Sequence, residues 1–255
     1  SLNEQTITVS IEDHPFLLDG ENEITVKASS EDGFVQGRGV IGKTTIKKKV
    51  LKKPQFFGVV VGVGDYANDQ INLKYTVNDA QAISEAMQIG AENLFDKEPV
   101  HMYTRTSNSD RPPSKENIRN VFAEISDKAN AEDIITVYLS GHGITWGGDQ
   151  GDFYFLTSDA MATSTDAYND PAIRKNNTIS TSEWVAWLKD IPALKQVMII
   201  DACGSGKAVD NLIAEREIEP SQIKAIDRMK DRTGMYIISG CTADAVSYEA
   251  SMYGQ

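Results

Sequence analysis

The sequence predicts an α/β protein in which a mainly parallel sheet is covered by helices on both faces, with a small N-terminal β appendage. Three observations carry this. From Pro54 onward, short β-rich apolar runs alternate with segments of helical periodicity. The run Phe56 to Val63 is continuously apolar and rich in valine, as in a strand buried on both faces. The charge also changes character there: residues 1–53 hold eight basic and eight acidic residues, and residues 54–255 carry the whole net charge of −12. Two units are therefore expected, a β-rich appendage over 1–53 and the main domain over 54–255.

In the appendage, residues 6–11 alternate like a half-buried strand, Asp19-Gly20 signals a turn, and Glu23 to Ala28 reads as a second strand. Thr44 to Leu51, β-branched and lysine-rich, reads as an edge strand. Three strands suit the tail of an immunoglobulin-like module or a β segment packed on the main domain. In the main domain, Val77 to Ile89 has helical spacing and meets Gly90, the expected stop. Pro99 to Thr104 is the second strand. Pro113 and Ser114 open a helix striped by Ile118, Val121, Phe122 and Ile125. Ile134 to Leu139 is the third strand, Thr181 to Leu188 a helix, Val197 to Ile200 the fourth strand and Met235 to Ser239 the fifth.

A chain of 255 residues with 40% apolar content can bury a sizeable core. The acidic balance argues against nucleic acid as partner, and no apolar run is long enough to span a membrane. Two cysteines exclude a disulfide scaffold, and a cytoplasmic, reducing setting is expected. One motif misleads. Gly37-Arg38-Gly39-Val40-Ile41-Gly42-Lys43-Thr44 matches the phosphate-binding loop pattern, which works only between a buried strand and a helix. Loop residues precede it and a poor helix former comes after it, so a β-turn role for its glycines is expected, with a nucleotide-binding protein as the lesser alternative.

Chemistry in parallel sheets collects at the carboxyl ends of the strands. The third strand runs into Ser140-Gly141-His142-Gly143 and the fourth into Asp201-Ala202-Cys203-Gly204-Ser205-Gly206. With only three histidines and two cysteines in the chain, that coincidence points to a Cys/His pair. A thiolate supplies the nucleophile for peptide cleavage and a histidine the proton for the leaving amine. The plainer readings are a buried cysteine and a surface histidine. Amides of the glycine-containing turn after Cys203 suit an oxyanion.

These segments resemble the two catalytic segments of caspase-like cysteine peptidases, closest to metacaspases and bacterial orthocaspases. The resemblance extends from Phe56–Val63 through Asn72-Leu73-Lys74-Tyr75-Thr76-Val77-Asn78-Asp79-Ala80 to Ser239-Gly240-Cys241. It implies a caspase-like fold, Cys203 as nucleophile, His142 as general acid/base, and the amides of Gly143 and Cys203 as oxyanion hole. Their 61-residue separation is near the roughly fifty of caspases.

Metacaspases bind arginine or lysine with aspartates. Asp201 lies two residues before Cys203, so strand alternation projects both to one face. Asp79 sits in the Asn-Asp element where that family keeps its other pocket acid. Two carboxylates favour a guanidinium or ammonium, so cleavage after Arg or Lys of a protein or peptide substrate is expected. As alternatives, Asp79 caps its helix and Asp201 the turn after the fourth strand. Asp244 is a further pocket candidate, and Thr242 to Ser247 a groove lining. The resemblance leaves calcium open as a cofactor, with Asp149, Asp152 and Asp210 as candidate ligands and no complete calcium loop. Lys207, Arg216, Lys224, Arg228, Lys230 and Arg232 lie where the family often cuts itself, or form an ordinary charged helix over 221–230.

Two departures stand out. Gly204 replaces the His or Gln of many relatives, and the chain stops at Gln255, before the further helix and sixth strand of the family. A fragment or cleavage product of a larger multidomain protein is expected. The competing function is a catalytically silent scaffold on the same fold.

Overall fold

The computed structural model describes residues 8, 10–11, 14–28, 37–48, 52–95, 97, 99–147, 152–204, 216–217, 235–239 and 246–247. Five parallel strands form the centre: β3 (Phe56–Gly62), β4 (Val100–Thr106), β5 (Ile134–Trp146), β8 (Lys195–Gly204) and β10 (Tyr236–Ser239). Their order across the sheet is β10-β8-β5-β3-β4. Antiparallel β6 (Asp152–Leu156) joins β5, and β7 (Thr178–Ser180) joins β6. The short β9 (Arg216–Glu217) and β11 (Val246–Ser247) pair with each other. This is the mixed α/β, mostly parallel architecture that the sequence predicts, and it is consistent with the caspase fold.

Every residue of β3 is buried because helices cover both of its faces. On one face lie α2 (Lys115–Lys128) and α4 (Thr181–Lys189). Ile118, Val121, Phe122, Ile125, Trp184 and Leu188 pack there against Phe57, Val59, Val61, Val137 and Ile200. Ser114 caps α2, and Ser180 with Glu183 forms a reciprocal capping box on α4. On the other face α1 (Thr76–Phe95) covers Val60 and Tyr138. A Cβ at Gly62 would stand 2.5 Å from the Ala80 Cβ, so the first turns of α1 lie directly on the strand only because residue 62 is glycine.

α1 does not stop at Gly90. Glycine costs a helix about 1 kcal/mol relative to alanine, but Ala91 is buried beyond it and Phe95 packs on Phe56 at 6.2 Å. Tertiary packing carries the helix through. β5 and β8 likewise run past Leu139 and Ile200, because each still finds a neighbour to pair with. Between β5 and α4 the sequence pattern suggests no element. The structure has β6, α3 (Pro171–Asn177) and β7 there. Alternating Phe153, Tyr154 and Phe155, and Pro171 at the first position after the cap Asp170, are their signals.

In the appendage, β1 (Gly20–Val26) pairs antiparallel with β2 (Val40–Ile46). The strand expected over 6–11 falls largely outside the described residues. β2 begins earlier than expected and contains Gly42, Lys43 and Thr44, so the second half of the phosphate-loop lookalike is strand and not the start of a helix, while Gly37 and Gly39, the latter at φ 80°, lie in the connection before it. Lys43 pairs with Glu21 across the hairpin at 3.3 Å. The segment docks through the Ala131 amide, which donates to the Pro15 carbonyl at 2.9 Å, and through Lys48 on Glu132 at 2.7 Å.

Two glycines of this face have opposite expected outcomes. Gly62→Ala overpacks the α1–β3 contact and is expected to cost about 1–3 kcal/mol. At Gly90 a Cβ meets nothing within 4 Å, and Gly90→Ala is expected to stabilise by about 0.5–1 kcal/mol. Denaturant unfolding of both variants checks the pair, and equal signs would contradict the packing described.

Candidate active site

The site is set by one register. β5 and β8 pair in parallel from Ile134↔Lys195 to Gly143↔Gly204, and this puts His142 directly opposite Cys203. Neighbouring strands lie about 4.8 Å apart, so the two residues share one end of the sheet. Both sit inside strands, not in loops past them as the sequence pattern suggests. The glycines beside His142 therefore serve packing and not a sharp turn. Gly141 has φ of 154°, and a Cβ there would meet the Tyr66 hydroxyl at 3.0 Å. At Gly143 a Cβ would fall on the Phe153 ring. In the ladder Gly143 pairs with Gly204 and His142 with Cys203.

His142 is only 6% exposed. Its Nε2 lies 2.8 Å from the Ile71 carbonyl, which can only accept, so Nε2 carries a proton. Its backbone amide donates to the Tyr66 hydroxyl at 2.8 Å, and the two rings tilt together with centroids 5.3 Å apart. Tyr66 and Ile71 belong to the connection between β3 and α1, and no spacing in the sequence marks either.

Of the two expected pocket acids, Asp201 is engaged directly by Tyr138. Its hydroxyl donates to the Asp201 carboxylate at 3.2 Å. Burial, then the charge of Asp201, with a smaller contribution from Asp79, holds the phenol well above its ordinary pKa, so it stays neutral and donates. Asp201 lies within β8, and Asp79 is the fourth residue of α1, past the N-cap position. Tyr138 carries no signal in the sequence, although it shares the α1-facing side of β5 with its neighbour Ile199 of β8.

The family model of the caspase domain matches residues 57–254. The chain belongs to the caspase domain family. That family is one of cysteine peptidases. Metacaspase-4 of Arabidopsis thaliana is 23% identical over 154 residues, covering 60% of this chain and 34% of the plant protein. The chain thus matches about a third of the length of that curated relative. A crystal structure of protein GSU0716 from Geobacter sulfurreducens superposes with a TM-score of 0.52 at 14% identity, over 78% of this chain and 77% of that one. That likeness concerns the fold alone.

Within this caspase domain, Asp149, Asp210 and Asp244 lie outside the described residues. Ser247 is described only as a backbone member of β11 opposite Arg216. Asp152 opens β6, and its carboxylate accepts from the Ser182 hydroxyl at 3.3 Å. Among the described residues no group of three or more His, Cys, Asp or Glu side chains could hold a metal ion. No described helix is long and apolar enough to cross a membrane. A cavity of about 560 Å³ between α2 and α4 is lined by Lys115, Arg119, Asp159 and Glu183, away from His142. Its Lys115 is already spent on Glu183 at 2.6 Å.

The Tyr138 environment has an alkaline consequence. Its folded pKa stands above the ordinary 10.0 of an unfolded tyrosine. The stabilisation it gives is complete below that value and is lost as pH rises through the folded value. Wild-type stability is expected to fall more steeply above pH 10.0 than that of Tyr138→Phe. Denaturant titrations at several alkaline pH values check this, and equal slopes would contradict it.

Proposed function

We propose that the chain is a cysteine endopeptidase that cleaves after Arg or Lys. The observation that carries the reading is the register of His142 opposite Cys203, with the Asp201 carboxylate held by the Tyr138 hydroxyl in the same strand pair. His142 takes the Cys203 thiol proton, and the thiolate attacks the scissile carbonyl carbon. The tetrahedral oxyanion is held by the amides of Gly143 and Cys203, which requires the last β5–β8 ladder bonds to open to substrate. The C–N bond breaks as His142 gives its proton to the leaving amine, leaving a thioester. Water then attacks the thioester while His142 accepts its proton, and the carboxylate product departs with the thiol restored.

Asp201 and Asp79 receive the guanidinium or ammonium of the substrate. Tyr138 orients Asp201 by its hydrogen bond. Self-cleavage at Lys207, Arg216, Lys224, Arg228, Lys230 or Arg232 follows from the same specificity.

Fluorogenic peptides ending in Arg, Lys or Asp, with and without calcium, test the reading. Arg and Lys peptides are expected to be cut and Asp peptides spared. Cys203→Ala and His142→Ala are expected to lose at least about 10³-fold. Asp201→Asn is expected to lower kcat/KM for Arg by about 10–100-fold, the worth of one charge-assisted bond. Cleavage after Asp would refute the pocket assignment, and unchanged cleavage in Cys203→Ala would refute the dyad. Replacing the six basic residues is expected to abolish fragmentation, and an unchanged fragment pattern would refute self-processing.

A further inference from the structure

Just past the end of β3, one amide of the neighbouring strand bonds a side chain. β3 pairs with β5 up to Gly62↔Ser140, and the Val63 amide closes that edge by donating to the Ser140 carbonyl at 2.9 Å. Ser140 and His142 are two residues apart, so their backbone groups point to the same edge of β5. At His142 β3 has already ended. The His142 amide is buried there and needs an acceptor.

The Tyr66 hydroxyl is that acceptor, 2.8 Å away in a buried bond. Tyr66 is 7% exposed, and its ring lies against the imidazole. The connection that carries it is tied at several points. The Tyr66 amide donates to Asn72 Oδ1 at 2.8 Å, and the Leu73 amide to the Gly64 carbonyl at 2.8 Å. The amides of Gly64 and Asp65 both donate to Ser107 Oγ, just past β4, at 2.9 and 2.8 Å. Such bracing is more than a surface connection requires. It holds one phenol oxygen at one place.

We infer that Tyr66 is a positioning residue for His142: its hydroxyl replaces the sheet partner that β3 no longer supplies and fixes the main chain of the histidine. The ring of Tyr66 and the Ile71 carbonyl then fix the imidazole. This role rests on the proposed reading of His142 as general acid/base, and it assigns the precision of that histidine to a residue far from it in sequence.

Tyr66→Phe keeps the ring and removes the acceptor. The test uses a Cys241→Ser background, so that Cys203 is the single thiol, and compares wild type, His142→Ala, Tyr66→Phe and Asn72→Ala. Two readouts are taken: the pH dependence of Cys203 alkylation by iodoacetamide, and peptide cleavage per covalently titrated site. Tyr66→Phe is expected to lower kcat by about tenfold or more with KM changed by less than about threefold. Its alkylation profile is expected to move part-way to that of His142→Ala. Asn72→Ala loosens the connection but keeps the hydroxyl, and is expected to shift both readouts the same way by less. A Tyr66→Phe protein with lowered thermal stability but wild-type kcat and alkylation profile would overturn the positioning role alone. A wild-type profile identical to that of His142→Ala would overturn the dyad reading and the role with it.

Discussion

Ten residues of β8 lie in parallel register with β5, and the site depends on that pairing holding to its last rung. A slip by one residue would turn each side chain to the opposite face. It would also move Cys203 off His142 and part Asp201 from the Tyr138 hydroxyl. The register is held by burial on both sides. Val137, Leu139, Met198 and Ile200 are locked into the large core with Trp184 and Phe122, while Tyr138 and Ile199 pack under α1. The hydrophobic effect thus fixes the geometry of the candidate site indirectly, by making any other alignment expose apolar surface.

The second constraint is close approach. α1 can deliver Asp79 to the sheet end because Gly62 offers no side chain to hold the helix away. The connection before α1 delivers Tyr66 and Ile71 to the histidine. One stretch of chain, from the end of β3 into the first turn of α1, therefore serves both halves of the candidate site. The strand order explains why. β3 has β4 on one side and β5 on the other, so the chain leaving β3 emerges where the sheet changes direction, a favoured place for ligand crevices.

The parallel sheet, the helical stripes and the Cys/His coincidence are legible in the sequence, because burial imposes periodicity and rare residue types stand out. Asp201 shares the His142 side of the sheet end and accepts from the Tyr138 hydroxyl, a partner the sequence does not mark. Strand ends are less legible. Glycines beside His142 read as a turn, whereas they make room for the Tyr66 hydroxyl and the Phe153 ring. Gly90 reads as a helix stop, but the packing of Ala91 and Phe95 outweighs its local cost. Tyr66 and the Ile71 carbonyl are invisible because a backbone hydrogen bond across 71 or 76 residues leaves no pattern in a single chain.

The central claim is that His142 and Cys203 act as one unit. The most direct measurement is covalent labelling with a peptidyl acyloxymethyl ketone ending in Arg, followed by mass-spectrometric location of the adduct. A single adduct on Cys203 is expected, with none on Cys241 and labelling lost in His142→Ala. Equal labelling of both cysteines, or undiminished labelling without His142, would contradict the claim.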